Sequence, residues 1–356
     1  MNNDFVRNIT KFNQTFNLDF SSNDYLCFAN NEHLIEKAYN NIIKIGIGAK
    51  SSRLICQSQI HDEIEEYISS IKKKDRTIIF PSGYQMNSSA IVTIINMLQE
   101  IHGNVEIFID KLNHASIYSA LFQTGLTIIR YNHQNLDMLE LQLQKSINFK
   151  IIITETIFSM DGTITDMKKL IYLKEKYNAF LYIDDAHSFG IYGQNMLGIT
   201  EGFEQNIDII AGTFSKAIGC QGAYLSANND IVNYIINKCH GFIYSTAISP
   251  FLISFALEAM KFLPQLTNQI NHLLDLSHFT RQLFSNKFNI ISQSHIIPII
   301  DNVNNLEKYN HNMQNKLIKS YIIKHPTVNK NHERIRLSLN ISHTKDDIYQ
   351  LYECFQ

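Results

Sequence analysis

Between residues 77 and 225 apolar runs alternate with short polar breaks, the pattern of strands alternating with helices. Thr77–Phe80, Val105–Asp110, Thr127–Tyr131, Phe149–Thr154, Leu181–Asp184 and Ile207–Ala211 read as strands. They are nearly continuous in Ile, Leu, Val, Phe and Tyr, as befits strands covered on both faces. Helical spacing marks 31–45 through Leu34, Ala38, Ile42 and Ile45. It also marks His61 to Lys74, where Ile60, Ile64, Tyr67, Ile68 and Ile71 oppose Asp62, Glu63, Glu65 and Glu66. Residues 167–177 form a further helix, and helical spacing resumes after 228. Phe242–Pro250 is a break, Phe251 to Phe288 is mostly helical, and strands near 295–300 and 334–339 flank a helix near 304–318. Leu18–Ser22 is a short strand followed by a turn, Asn23–Leu26. The expected architecture is α/β: a large domain over 46–250 with a mainly parallel sheet flanked by helices, an N-terminal segment 1–45, and a smaller C-terminal α+β domain over 251–356.

In such sheets ligands bind outside the C-terminal ends of the strands. Ser82-Gly83, His114, Ser159, Asp184, His187, Thr213 and Lys216 all fall there and are expected to open onto one crevice. A lysine after a strand is ordinarily just solvated. Lys216 instead follows a buried run and two small hydroxyl residues, Thr213 and Ser215, with Gly219 after it. That is the setting an imine-forming lysine needs: room, low dielectric and donors for an anion. Asp184 ends the preceding strand, one strand-helix-strand step earlier. Pyridoxal phosphate chemistry needs this pair, a lysine to carry the aldehyde and a carboxylate to keep the ring nitrogen protonated. Ser82-Gly83-Tyr84 at a helix start suits the phosphate, although an ordinary strand-to-helix turn reads the same way. Gly46-Ile-Gly48 is a weaker anion site. His114, followed by two small residues, can lie flat on a planar ring, although a lone histidine is more often structural.

The chain of 356 residues carries 31 Lys and Arg against 33 Asp and Glu, a net charge of −2 that gives no general pull toward nucleic acid or an anionic membrane. The basic group Lys72, Lys73, Lys74 and Arg76 reads as a solvated helix end. Five scattered cysteines with no CxxC pair argue against a metal site or a disulfide framework and suit a reducing cytoplasm. No signal peptide and no transmembrane run is expected. A plain nucleotide-binding protein is disfavoured, because neither GxGxxG nor a Walker sequence is present.

Taken together, Ser22-Asn-Asp-Tyr-Leu26, Phe80-Pro-Ser-Gly-Tyr84, Asn113-His-Ala-Ser116, Phe158-Ser-Met-Asp-Gly162, Asp184-Asp-Ala-His187, Thr213-Phe-Ser-Lys216, Tyr244-Ser-Thr246 and Arg334-Ile-Arg-Leu337 resemble the α-oxoamine synthases, a branch of the fold-type I pyridoxal-phosphate enzymes. The resemblance covers nearly the whole chain. It implies a decarboxylating condensation of an amino acid with an acyl thioester. It implies that Lys216 holds the cofactor and takes the Cα proton, and that Asp184 pairs with the ring nitrogen. His114 would stack on the ring, with His187 and Ser159 beside the ring hydroxyl. Gly83, Tyr84 and Thr213 would hold the phosphate, completed by Ser245 and Thr246 of a second copy in a homodimer. Arg336 would grip the substrate carboxylate, with Asn23 and Thr327 near the substrate. Pro326-Thr-Val328 before Arg334 is most similar to the branch that joins L-alanine to a pimeloyl thioester, on CoA or an acyl carrier protein, to make the biotin precursor 8-amino-7-oxononanoate. The same motifs would also serve glycine with acetyl- or succinyl-CoA, serine with a long acyl thioester, a signalling α-aminoketone, or a degenerate cofactor- or partner-binding member. The retained Lys216, Asp184, His114 and Arg336 argue against the last. Cys27 stands where the family often has glycine, Arg53–Ser58 lacks the family's glycines, and no residue matches its N-terminal basic residue beside the acyl substrate.

Overall fold

The computed structural model describes residues 15–56 and 58–356. In chain order they form β1 (Leu18–Asp19), α1 (Glu32–Ile42), α2 (Gln59–Ile71), β2 (Arg76–Phe80), α3 (Gly83–His102), β3 (Val105–Asp110), α4 (Ala115–Thr124), β4 (Ile128–Tyr131), α5 (Leu136–Lys145), β5 (Phe149–Glu155), α6 (Met167–Lys176) and β6 (Phe180–Asp184). Then follow β7 (Ile209–Thr213), β8 (Ala223–Ala227), α7 (Asn229–Lys238), α8 (His240–Ile243), α9 (Pro250–Phe262), α10 (Thr267–Ser285), β9 (Ile296–Ile300), α11 (Val303–Asn315), β10 (Ile318–Lys319), β11 (Ile322–Ile323), β12 (Arg334–Ser338) and α12 (Lys345–Glu353). They group into two compact units. The larger holds 26–158 and 164–267; the smaller holds the residues up to Tyr25, Ser159–Thr163 and 268–356. This division differs from the segments 1–45, 46–250 and 251–356. The smaller unit starts its C-terminal part seventeen residues later than 251, and it takes in the N-terminal strand and a five-residue loop.

The larger unit is built on a seven-stranded sheet of order β2-β8-β7-β6-β5-β3-β4. β8 runs antiparallel to both neighbours and the other pairs are parallel. β6 and β7 are buried at every residue, as their apolar runs require. Helix α3 covers the sheet with Met86, Ala90, Ile91, Ile94, Ile95 and Leu98 in the core. Its start is set by Ser82, whose side chain accepts from Gln85 N–H at 3.2 Å.

Two local expectations fail for identifiable reasons. The strand expected over Ile207–Ala211 is shifted to Ile209–Thr213. Asp208 spends its carboxylate on the Leu181 N–H at 2.7 Å, at the edge of the β6–β7 pairing, so Gly212 and Thr213 extend the strand instead. Nor is there an α-helix between β6 and β7 among the described residues. Gly190, Gly193, Gly198 and Gly202 all take positive φ, and the link is a series of turns with one 3₁₀ turn at Glu204–Asn206.

In the smaller unit β9, β11 and β12 form an antiparallel sheet, and β1 pairs in parallel with β10. The mostly helical stretch after 250 is interrupted at Leu263–Leu266, a 3₁₀ turn carrying Pro264, which lacks the N–H that a helix interior uses.

Candidate active site

At the C-terminal end of β2 the first turn of α3 presents backbone N–H groups, the donors that an anion at a helix start uses. A Cβ placed on Gly83 would stand 3.6 Å from the Thr213 side chain, in ordinary contact with it. The Thr213 hydroxyl donates to the Gly222 carbonyl at 2.8 Å and accepts from the Ser215 N–H at 3.2 Å. Gly83 and Thr213, from two strand ends, thus lie side by side at a helix start whose N–H groups suit a phosphate. Tyr84, one residue into the helix, is largely exposed.

Lys216 follows this turn and is half-buried. Its positive charge acts on both His114 and Glu155: it adds to the desolvation that lowers the His114 pKa and offsets part of the burial that raises that of Glu155. Asp184, at the end of β6, is buried. Its Oδ1 accepts from the Ala186 N–H at 3.0 Å and its Oδ2 from the Asn87 side-chain amide at 2.7 Å. Burial raises the Asp184 pKa; the Asn87 bond and His114 oppose that rise. A carboxylate held ionised only against its desolvation suits a buried cationic partner such as a pyridinium nitrogen. His187 is buried three residues beyond Asp184.

His114 sits at the N-cap of α4, exposed at its outer edge. Desolvation lowers its pKa, as does Lys216, while Asp184 raises it. Its backbone N–H donates to the Glu155 carboxylate. Glu155 is the register partner of Asp184 across β5 and β6. Burial and the Asp184 charge push its pKa well above the ordinary carboxylate value. Sequence reasoning passed over Glu155 and Asn87. The readable signal for Asn87 was its place one helical turn after Gly83.

In the smaller unit Arg336 is buried on β12. Its Nε donates to the Ser159 carbonyl at 2.5 Å and its Nη1 to Asn23 Oδ1 at 3.0 Å and Ser338 Oγ at 2.7 Å. Nη2 lies 3.4 Å from Tyr25 Oη. Asn23, Ser159 and Arg336 are therefore one cluster. Ser159 follows the C-terminal end of β5, on a loop that groups with the smaller unit. Thr327 is exposed in the turn between β11 and β12.

The remaining motif residues lie in the larger unit. Thr246 is exposed and forms an isolated bridge with Ser52. Ala247 N–H donates to the Ser51 carbonyl at 2.9 Å. His61, fully buried at the start of α2, stands 3.0 Å from the Ile248 carbonyl through Nε2. Burial, aided by Arg53, lowers the His61 pKa to about 4. The loop after Gly46 is thus docked on the 244–249 segment. Arg53 pairs with Asp62 and Glu65. Cys27 takes φ +53°. This is the left-handed region glycine favours, and another residue there carries about 1–2 kcal/mol of strain.

The family model for class I and II aminotransferases matches residues 17–354. A Bacillus cereus (strain Q1) protein provisionally named 8-amino-7-oxononanoate synthase is 36% identical over 339 residues, covering 93% of this chain and 84% of that protein. A counterpart from Bacillus mycoides (strain KBAB4) with the same provisional name is 35% identical over 340 residues, 93% of this chain and 85% of that one. Among solved structures, Sphingomonas wittichii serine palmitoyltransferase aligns with TM-score 0.86 at 22% identity, over 95% of this chain and 86% of its own. The 8-amino-7-oxononanoate synthase of Francisella tularensis aligns with TM-score 0.81 at 27% identity, over 95% and 96%. The class works with pyridoxal phosphate, which the helix start and buried carboxylate described above fit. The chain belongs to the class I and II aminotransferase family, and within it to the α-oxoamine synthases of fold-type I.

Proposed function

We propose that this protein condenses L-alanine with a pimeloyl thioester, on CoA or an acyl carrier protein, to give 8-amino-7-oxononanoate and CO₂ in biotin biosynthesis. The observation that carries the substrate choice is the 36% identity, over 93% of the chain, to a protein provisionally named for this reaction. The observation that carries the chemistry is the grouping of Lys216, His114, Asp184 and the Gly83–Thr213 pair at the strand ends of one sheet.

Bound pyridoxal phosphate supplies an electron sink for the carbon that loses its proton. Lys216 would hold the cofactor and move the alanine Cα proton. Asp184 would keep the ring nitrogen protonated, and His114 would pack on the ring. Gly83, Tyr84 and Thr213 would bind the phosphate, and His187 and Ser159 would serve the ring hydroxyl. Arg336 binds the alanine carboxylate. Its guanidinium donates to four neutral oxygens, those of Ser159, Asn23, Ser338 and Tyr25, which suits a charge kept for an anion. Asn23 and Thr327 help shape the amino-acid end.

A homodimer completes the reading. Ile43, Ile47, Leu54, Ile55 and Tyr244 are all at least half exposed. Leu54, Ile55 and Tyr244 lie on segments joined by the Ser52–Thr246 bridge, and exposed apolar residues of this kind suit contact with a second copy. Ser245 and Thr246 beside them are placed to serve that copy's phosphate. The five cysteines are all thiols, as a cytoplasmic protein would keep them. Among the described residues no helix is long and apolar enough to cross a membrane.

Spectral titration of the cofactor-loaded protein with L-alanine, glycine and L-serine tests the substrate choice. Alanine should shift the visible band at the lowest concentration, and pimeloyl-CoA should then release free CoA. A preference for serine or glycine would retain the family and overturn the substrate. Arg336→Ala should raise the KM for alanine roughly a hundredfold while changing that for the thioester little, as loss of a charged, forked contact predicts. Equal effects on both substrates would remove Arg336 from the carboxylate site.

A further inference from the structure

The geometry points to Asn87 as a positioning residue that holds Asp184 and His114 in one oriented hydrogen-bond network. The inference rests on the reading above, in which these two groups meet the cofactor ring. Asn87 is buried on α3, one turn beyond the Gly83 end proposed for the phosphate. Its amide is fully used. Oδ1 accepts from the Tyr182 hydroxyl at 2.6 Å, while Nδ2 donates to Asp184 Oδ2 at 2.7 Å and to Ser116 Oγ at 3.0 Å. The opposite amide orientation would set a carbonyl oxygen against a carboxylate and is excluded by repulsion.

This orientation propagates. Ser116 Oγ accepts a hydrogen bond from Asn87 and so turns its own hydroxyl toward His114 Nδ1, 2.7 Å away. The Ser116 backbone N–H also points at Nδ1, at 3.3 Å. Two donors converge on one ring nitrogen, which leaves it no room for a proton. His114 is therefore neutral with its proton on Nε2. A second proton would have to displace both donors, and Ser116, fully buried, has no solvent to turn to. The depressed His114 pKa agrees with this. The chain Tyr182–Asn87–Ser116–His114 thus carries one direction of donation, and Asn87 branches from it to Asp184. One side chain aims the carboxylate and sets the imidazole tautomer, on a helix whose first turn faces the phosphate.

The test uses ¹⁵N-histidine-labelled protein without added cofactor, with the His114 signal identified by its loss in His114→Gln. The expected result is the Nε2–H tautomer at neutral pH. Asn87→Ala and Ser116→Ala should each release it to a mixture of tautomers. Asn87→Ala should also weaken pyridoxal phosphate binding about tenfold, as loss of one hydrogen bond to a charged group predicts. Ser116→Ala, which leaves the Asn87–Asp184 bond in place, should weaken it less than twofold, about 0.4 kcal/mol. A purely structural role would instead lower binding and melting temperature together in both variants. An Nδ1–H tautomer or an imidazolium in the unaltered protein overturns the inference, as does a tautomer unmoved by Ser116→Ala. Should Asn87→Ala not fold, Ser116→Ala carries the test. The ring reading is checked separately by Asp184→Asn. Unchanged cofactor affinity there would remove Asp184 from the ring and leave the network to stand or fall on the tautomer.

Discussion

Lys216→Ala should remove the visible absorbance of the cofactor-loaded protein and lower the proposed condensation by at least ~10³-fold, because in that reaction one amine would serve as both covalent anchor and proton carrier. The structure favours this lysine for an electrostatic reason. Lys216 is half-buried, and its charge acts on His114 and on Glu155, which itself neighbours Asp184. In the proposed reaction Lys216 would carry the cofactor, and the buried Asp184 would favour a cationic ring nitrogen. Lys216→Arg separates charge from nucleophilicity: it keeps the cation and should still lose the absorbance. A folded Lys216→Ala protein that retains the band would place the anchoring lysine elsewhere, and no activity measurement is needed to see it.

Much of the site was legible because it lies at strand ends, and buried parallel strands declare themselves by apolar runs. Val105–Asp110 emerges with the same bounds in the structure, and Ser82-Gly83 does start a helix. What stayed hidden was whatever depends on partners distant in sequence. Asn87 looks like one polar residue in a helix; only folding brings Asp184, Tyr182 and Ser116 to it. Ser159 sits in a loop after a strand like the other site residues, yet its loop joins the smaller unit through Arg336. β8 was hidden for another reason: Ala223-Tyr-Leu-Ser-Ala227 carries two alanines and a serine and no β-branched residue, a weak strand signal, and nothing local marks it as antiparallel to both of its neighbours.

The basic group at 72–76 is the sharpest case, and it carries the largest stability effect. Its residues read as a solvated helix end. Lys73 and Arg76 are indeed exposed, but Lys72 is 1% exposed. α2 ends one residue before it, and the side chain runs inward to Asp185, 3.1 Å away and fully buried. Its Nζ also donates to the Leu197 carbonyl at 2.5 Å and to Thr200 Oγ1 at 3.1 Å, and it lies 4.9 Å from the centre of the Phe189 ring. Burial lowers the Lys72 pKa, and Asp185 opposes that. Asp185 takes further hydroxyl donors from Thr156, Ser188 and Thr200. Removing one member of such a pair leaves the other charged and buried, which costs about 3–5 kcal/mol. Lys72→Met should therefore lower the denaturation midpoint by that equivalent at unchanged slope. Adding Asp185→Asn removes the stranded charge and keeps Oδ1 as the acceptor for Thr156 and Ser188, while the new amide can donate to Thr200, so the double variant should recover more than half of the loss. A single-variant loss below about 1 kcal/mol, the range of an exposed pair, would mean that water reaches Asp185. Because Asp185 directly follows Asp184, Lys72→Met should also weaken cofactor binding, and the double variant should restore it in step with stability. Stability recovered without affinity would show instead that the ion pair itself, not just a well-filled core, holds the end of β6 in its binding geometry.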